Sequence, residues 1–246
     1  MLYLLDGCDR NSPFPDVELA ETEPDGLLAV GGDLSLERLV NAYSRGIFPW
    51  YSSGQPILWW SPDPRLVLFP ERLRVSRSLR KTLRRSTFSA TLDYDFGGVI
   101  DACSEPRADG YGTWLMPEMR DAYRRLHAHH LAHSVEVWSD GELVGGLYGV
   151  ALGRVFFGES MFSRRTDASK VALVHLVNTL RAWGYRLIDC QVRTEHLVSM
   201  GAEEIARRDF TALLRTWQQL PGREGSWRDE PAVSPAPPEK PPAQFG

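Results

Sequence analysis

Between His133 and Val192 the chain reads strand, strand, strand, helix, strand, and that order leaves few folds open. "HSVEVWSD" and "ELVGGLYGVAL" flank Asp140-Gly141, a pair that marks a hairpin turn. "RVFFGESMF" follows as a third strand. "DASKVALVHLVNTLRAWG" carries helical spacing from an Asp167 cap to a Gly184 stop, and "RLIDCQV" is the next strand. The last of these is unusual, because Asp189 and Gln191 interrupt an apolar run. Alternation places both on one face, with Cα atoms roughly 7 Å apart. An unpartnered buried carboxylate is costly, so it must be paired, solvated in a cleft, or used. A polar strand end in water, or an Asp tied to a core Arg, would explain it without any site.

The rest of the chain fits around this unit. "SLERLVNAYSRG" reads as a helix, with Ser35 as N-cap, Leu36, Leu39, Val40 and Tyr43 at helical spacing, and Gly46 as the stop. "IFPWYSSGQPILWWSPDPR" alternates aromatics with turn residues, so tertiary contacts must order it, and it can form a wall of a site. Further helices are expected over "VSRSLRKTLRRS" (N-cap Ser76, Leu79 and Leu83 inward), "DFGGVIDAC", the segment opened by Pro117, and "RRDFTALLRTW"; "FSATLD" reads as a strand. The expected fold class is α+β of α/β type. A small N-terminal α/β domain (1–66) packs on an acetyltransferase-like domain with a mixed sheet (67–220), and a Pro-rich tail (221–246) is expected to be disordered.

Composition narrows the function. A length of 246 residues with 43% hydrophobic content supports a real core in one or two domains. The net charge of −4 means that any nucleic-acid contact must come from a local patch. Cys8, Cys103 and Cys190 lie far apart with no CxxC pair, which fits a reducing cytoplasm. The N-terminus lacks a signal peptide's basic region, and no run approaches the ~18 to 20 apolar residues of a membrane span, so a soluble intracellular protein is expected.

Several constellations could carry chemistry. Glu159 sits in an apolar strand before a Ser/Arg/Asp loop; a structural salt bridge is the plain alternative. That loop, Ser163 to Ser169, contains no glycine, so it lacks the cradle with which an acetyltransferase holds a pyrophosphate, and a different acyl donor is implied. Arg72, Arg74, Arg77, Arg80, Lys81, Arg84 and Arg85 form a cationic run suited to phosphates, or else a solvated face. Trp50, Trp59, Trp60 and Trp114 cluster at Gly/Pro breaks, where they fill an interface or stack on a ligand. "HAHHLAH" puts His129 and His133 four apart without HExxH, so no metal site is expected. No GxSxG elbow and no Cys-His nucleophile pair stands out.

Taken together, "GLLAVGGDLS", "RGIFPWYS", "PILWWSPDPR", "GTWLMPEM", "AHSVEVW", "VGGLYGV", "GESMFS", "ASKVALVHL" and "LIDCQV" resemble the leucyl/phenylalanyl-tRNA–protein transferase family, in order from Pro24 to Leu214. The resemblance implies a bacterial cytoplasmic enzyme. It would move Leu or Phe, less often Met, from aminoacyl-tRNA to the α-amine of an N-terminal Arg or Lys, marking that protein for the N-end rule pathway. It assigns Asp189 and Gln191 to orienting the amine and relaying its proton, and Glu159 to holding the acceptor. Phe156, Met161, Leu176 and Ile188 would line the aminoacyl side-chain pocket. Trp50, Trp114 and Tyr43 would lie near the terminal adenosine, with Arg77, Arg80, Lys81 and Arg84 on acceptor-stem phosphates. No metal and no organic cofactor is implied, and a monomer is the default. The sequence departs from the family's pattern at Arg193 and at Thr194, where Asn is frequent. Two alternatives remain: an acyl-CoA N-acyltransferase and a non-catalytic tRNA- or degron-binding module.

Overall fold

A computed structural model describes residues 2–7, 9, 12–85, 87–105 and 115–228. Short segments between turns build a first sheet. Strands β1 (Tyr3–Leu5), β2 (Leu27–Gly31), β3 (Phe48–Pro49) and β4 (Leu58–Trp60) lie in the order β1-β2-β4-β3. The first pair is parallel and the others are antiparallel. Helix α1 (Leu36–Ser44) leads from β2 to β3. Its Ser35 cap accepts the Arg38 N–H at 3.3 Å, and Gly46 follows at φ +78. None of these strands was read in the sequence. At two to five residues they are too short to show alternation, and Pro and Gly break them.

The larger sheet holds β5 (Arg65–Leu68), β6 (Ser89–Leu92), β7 (Ala132–Ser139), β8 (Glu142–Leu152), β9 (Val155–Ser163), β10 (Leu187–Gln191) and β11 (Glu203–Ile205), in the order β11-β5-β10-β9-β8-β7-β6. The expected hairpin is present, with Asp140 and Gly141 both at positive φ as a two-residue primed turn requires. Helix α2 (Arg77–Arg84) has its Ser76 cap, and α3 (Phe96–Cys103) is capped by Asp95. Helix α4 (Pro117–Ala128) opens on its proline. Helix α5 (Ala168–Ala182) crosses from β9 to β10, which run parallel, so the sheet is mixed. Asp167 precedes α5 in the left-handed region, and its carboxylate accepts from Thr82 Oγ1 (3.0 Å) and Lys170 Nζ (3.3 Å) rather than from a backbone N–H of the first turn. It therefore does not cap by the expected hydrogen bond. Helices α6 (Glu195–Ser199) and α7 (Arg207–Trp217) complete the set.

Two apolar cores flank the larger sheet. On one face α1, α3, α4, α7 and the small sheet pack together; on the other lie α2 and α5. The sheet opens at one point. β10 pairs with β9 from Leu187↔Val155 to Asp189↔Phe157 and no further. Immediately beyond, each strand carries a bulge: Glu159 is skipped in the β8–β9 register and Cys190 in the β10–β5 register. The two strands part there, and a cavity lies between them.

The tail expected from Pro221 does not begin there. Pro221–Arg228 run against the body: Tyr185 Oη accepts the Arg223 N–H (3.4 Å), and Trp227 is 0% exposed. Local composition predicted disorder, but one indole burying ~200 Å² is worth about 5 kcal/mol by area, enough to offset much of the ordering cost of a short segment. Residues 229–246 of that tail lie outside the described residues. Among the described residues no helix is long and apolar enough to cross a membrane.

Candidate active site

The cavity has a volume of about 510 Å³. Phe156, Met161, Leu176 and Ile188, all expected around one pocket, line it together, joined by Leu173. Phe48, Pro49 and Trp50 of the aromatic and proline-rich stretch also line this cavity. Trp50 is 47% exposed, and its ring stands 5.8 Å from that of Trp60. Glu159 and Gln191 are among the residues that line the same cavity.

Glu159, the bulged residue of β9, is held by two tyrosines rather than by a salt bridge. Tyr43 Oη donates to its Oε1 at 2.7 Å and Tyr123 Oη to its Oε2 at 2.5 Å, while the two hydroxyls lie 2.7 Å apart. With both hydroxyls turned to the carboxylate, the Tyr43–Tyr123 contact has no proton. When Glu159 is protonated it can donate to one tyrosine, which then donates to the other, and all three contacts are filled. Burial pushes the Glu159 carboxyl up to about 7, the tyrosine hydrogen bonds opposing it and the Asp189 charge adding to it. The unfolded chain releases this proton near 4.5 and the folded chain only near 7. Between those values the folded state binds more protons, so stability falls as pH rises across that window. Glu159→Gln should remove this part of the slope, checked by urea melts at about pH 5 and about pH 8.

Asp189 does not face the cavity. Its side chain is 0% exposed and accepts two hydrogen bonds from Arg65, Nε at 2.8 Å and Nη2 at 2.7 Å. The Arg65 guanidinium lies over the Phe48 ring (4.9 Å) and the Phe210 ring (4.7 Å). This is the plain alternative of an Asp tied to a core Arg. Strict alternation would have aimed Asp189 and Gln191 the same way, but the bulge breaks the period between them. Gln191 then takes φ +56, and the Val192 N–H reaches back to the Cys190 carbonyl at 2.8 Å. That is a γ-turn of the rare positive-φ form, costly for a residue with a Cβ. Asp189 Oδ1 accepts the Gln191 N–H at 3.0 Å, which supports the turn. Gln191 reaches the cavity and Asp189 stands behind it.

The other expected residues divide. Tyr43 is 0% exposed and bound to Glu159, so it is shut off from any adenosine and works on the carboxyl instead. Trp114 lies outside the described residues. Arg77, Arg80, Lys81 and Arg84 are all exposed on α2, with Leu79 and Leu83 buried beneath. The Thr82–Asp167 hydrogen bond ties that helix to the start of α5, whose Ser169 and Leu176 line the cavity. Thr194 lines the cavity and caps α6, its Oγ1 accepting the Leu197 N–H at 3.3 Å. Cys190 also lines it, but burial pushes its thiol up, so it is no thiolate nucleophile. His133 is bonded to Asp93 (2.8 Å), and among the described residues no cluster could hold a metal. Two further residues complete the site: Arg65, whose one signal in the sequence is the carboxylate that demands a partner, and Tyr123, which nothing in the sequence sets apart within its helix.

An apolar pocket between splayed strands of a mixed sheet, with a protonatable carboxyl and an amide on its lining, has the groups an acyl-group transferase needs. The family is settled by likeness. Residues 67–215 match the family described as leucyl/phenylalanyl-tRNA protein transferase, and residues 32–63 match its N-terminal domain. Three relatives carry the name leucyl/phenylalanyl-tRNA–protein transferase. That from Nitrosomonas europaea is 58% identical over 88% of this chain and 92% of its own. That from Methylococcus capsulatus is 57% identical over 94% and 98%. That from Aromatoleum aromaticum is 61% identical over 89% and 93%. The chain belongs to the leucyl/phenylalanyl-tRNA–protein transferase family. Solved structures overlap it only loosely: a GCN5-related N-acetyltransferase from Kribbella flavida, 16% identical, covers 68% of this chain and 60% of its own at a TM-score of 0.35. The architecture therefore rests on the strand order itself.

Proposed function

We propose that this chain, a cytoplasmic monomer, moves Leu or Phe, and less often Met, from aminoacyl-tRNA to the α-amine of a protein beginning with Arg or Lys, creating an N-end rule signal. One observation carries the reading: an apolar recess and the polar groups of Glu159 and Gln191 share one cavity of about 510 Å³. The donor's side chain enters the recess, where fit discriminates by about 1–3 kcal/mol per methylene. Its ester carbonyl then lies toward Gln191. An amine with an unperturbed pKa near ~7.7 to 8.0 must shed its proton before attacking. Nitrogen bonds to the carbonyl carbon, the bond to the adenosine oxygen breaks, and that oxygen leaves with a proton. The Gln191 amide orients the nitrogen and the carbonyl. Glu159, when ionised, faces the cationic acceptor. Asp189 acts as a positioning residue through Gln191, since its carboxylate is turned from the cavity toward Arg65.

The exposed Trp50 ring offers a stacking surface for the terminal base. The cations of α2 meet phosphates without reading sequence. Arg80→Ala combined with Arg84→Ala should therefore flatten the dependence of log kcat/KM on log salt by roughly 1.4 to 1.8, while leaving turnover at saturating tRNA unchanged. Steady-state kinetics across a salt series reads this directly.

The decisive assay offers Leu-tRNA or acetyl-CoA with a peptide beginning in Arg. Leucylated peptide from Leu-tRNA is expected. Acetylated peptide alone would favour the acyl-CoA alternative, and tRNA binding without either product a non-catalytic module.

A further inference from the structure

The indole of Trp227 sits behind the recess. It is 0% exposed and stacks on His133 with ring centroids 3.7 Å apart and planes 1° from parallel. Trp183 and Tyr185, at the end of α5, meet it edge-on at 5.0 Å and 6.3 Å. Its own backbone N–H donates to Asp93 Oδ2 at 2.9 Å, the same oxygen that His133 Nδ1 contacts at 2.8 Å. Asp93 thus fixes both the strap's backbone and the ring on which the indole lies. The next neighbour is Phe156, at 6.0 Å between ring centroids, within the range of direct aromatic contact. Phe156, itself fully buried, belongs to the wall of the cavity. Its ring also lies across Gly149 of β8 so closely that a Cβ there would come within 2.5 Å of it. The ring has no slack toward the strand, and the indole takes up space into which it could otherwise retreat.

We propose that Trp227, carried by the C-terminal strap, is a specificity-determining positioning residue: by backing Phe156 it fixes the depth of the recess and so the size of the side chain accepted. This rests on the reading that the recess takes the donor's side chain. A well-packed interior responds to a missing ring by partial collapse, and here the mobile neighbour is a wall of the site. The indole N–H has no acceptor among the described residues, so a phenyl ring can replace it without orphaning a partner.

The test uses the full chain, with an Arg-initial peptide and Leu-tRNA or Phe-tRNA as donor. Trp227→Ala should raise the ratio of kcat/KM for Phe over Leu by about tenfold, Trp227→Leu by less, and Trp227→Phe by under about twofold. Thermal melts run alongside. Trp227→Leu and Trp227→Phe keep most of the buried volume, so they give an answer even if Trp227→Ala does not fold. An unchanged ratio, with both donors losing activity together as the melting temperature drops, would overturn the inference. Phe156→Ala separates the two layers. If it shifts the ratio and the Trp227 variants do not, only the role of the strap fails. If neither shifts it, the recess does not hold the side chain, and both readings fall.

Discussion

Asp189→Ala is expected to cost about 3 to 5 kcal/mol of folding stability, the range for removing one partner of a buried ion pair. The pair is closed on every side the structure describes: Arg65 is 1% exposed, Asp189 is 0% exposed, and two aromatic rings cover the guanidinium. Removing the carboxylate leaves a buried cation without its counter-charge, and the two rings offset only part of its desolvation. It also removes the acceptor for the Gln191 N–H, so the γ-turn that aims Gln191 loses its support. Transfer should therefore fall further than the loss of folded protein explains. The double variant Arg65→Met with Asp189→Leu separates the effects, because an apolar pair of similar volume restores packing without restoring the acceptor. Recovered melting temperature with unrecovered kcat is the expected signature. A single Asp189→Ala variant that melts like the parent chain would contradict the account.

The second large effect lies at the cavity wall. Glu159→Gln and Gln191→Ala are each expected to lower kcat/KM for leucine transfer by about 10²-fold or more, the range for removing a positioned polar group at a reacting centre. Glu159→Gln keeps the shape and both tyrosine contacts while abolishing the charge, so the variant should fold. The pH profile distinguishes charge from shape. In the parent chain kcat/KM should climb as Glu159 ionises through about 7 and again as the acceptor amine loses its proton. Glu159→Gln should erase the first rise and keep the second. A variant with the parent's full profile would remove Glu159 from the reaction.

Much of this fold is written plainly in the sequence. The hairpin announces itself at Asp140-Gly141, the caps at Ser35 and Ser76 are local chemistry, and the crossover helix is long and strongly periodic. Phe156, Met161, Leu176 and Ile188 come from one helix and two strands, β9 and β10, and they line one cavity. What stayed hidden is non-local or breaks a period. No local signal marks the bulges at Glu159 and Cys190, because a bulge is defined by the partner strand. Without them, a period of two aims Asp189 and Gln191 together, whereas the chain turns one toward Arg65 and the other into the cavity. The spacing of Tyr43 marks a helical position, but what it faces depends on β9, more than a hundred residues later. Trp227 was lost in a stretch whose composition spoke for disorder, since composition averages over residues and one anchored ring does not.

In the proposed reaction one cavity receives the donor's side chain at its apolar end and presents the ester to Gln191 and Glu159. The most direct measurement is a structure of this chain bound to a non-hydrolysable phenylalanyl-adenosine analogue. The phenyl ring is expected within about 4 Å of Phe156, Met161, Leu176 and Ile188, with the carbonyl turned toward Gln191. A phenyl ring bound outside that recess, or a carbonyl remote from both Gln191 and Glu159, would contradict it.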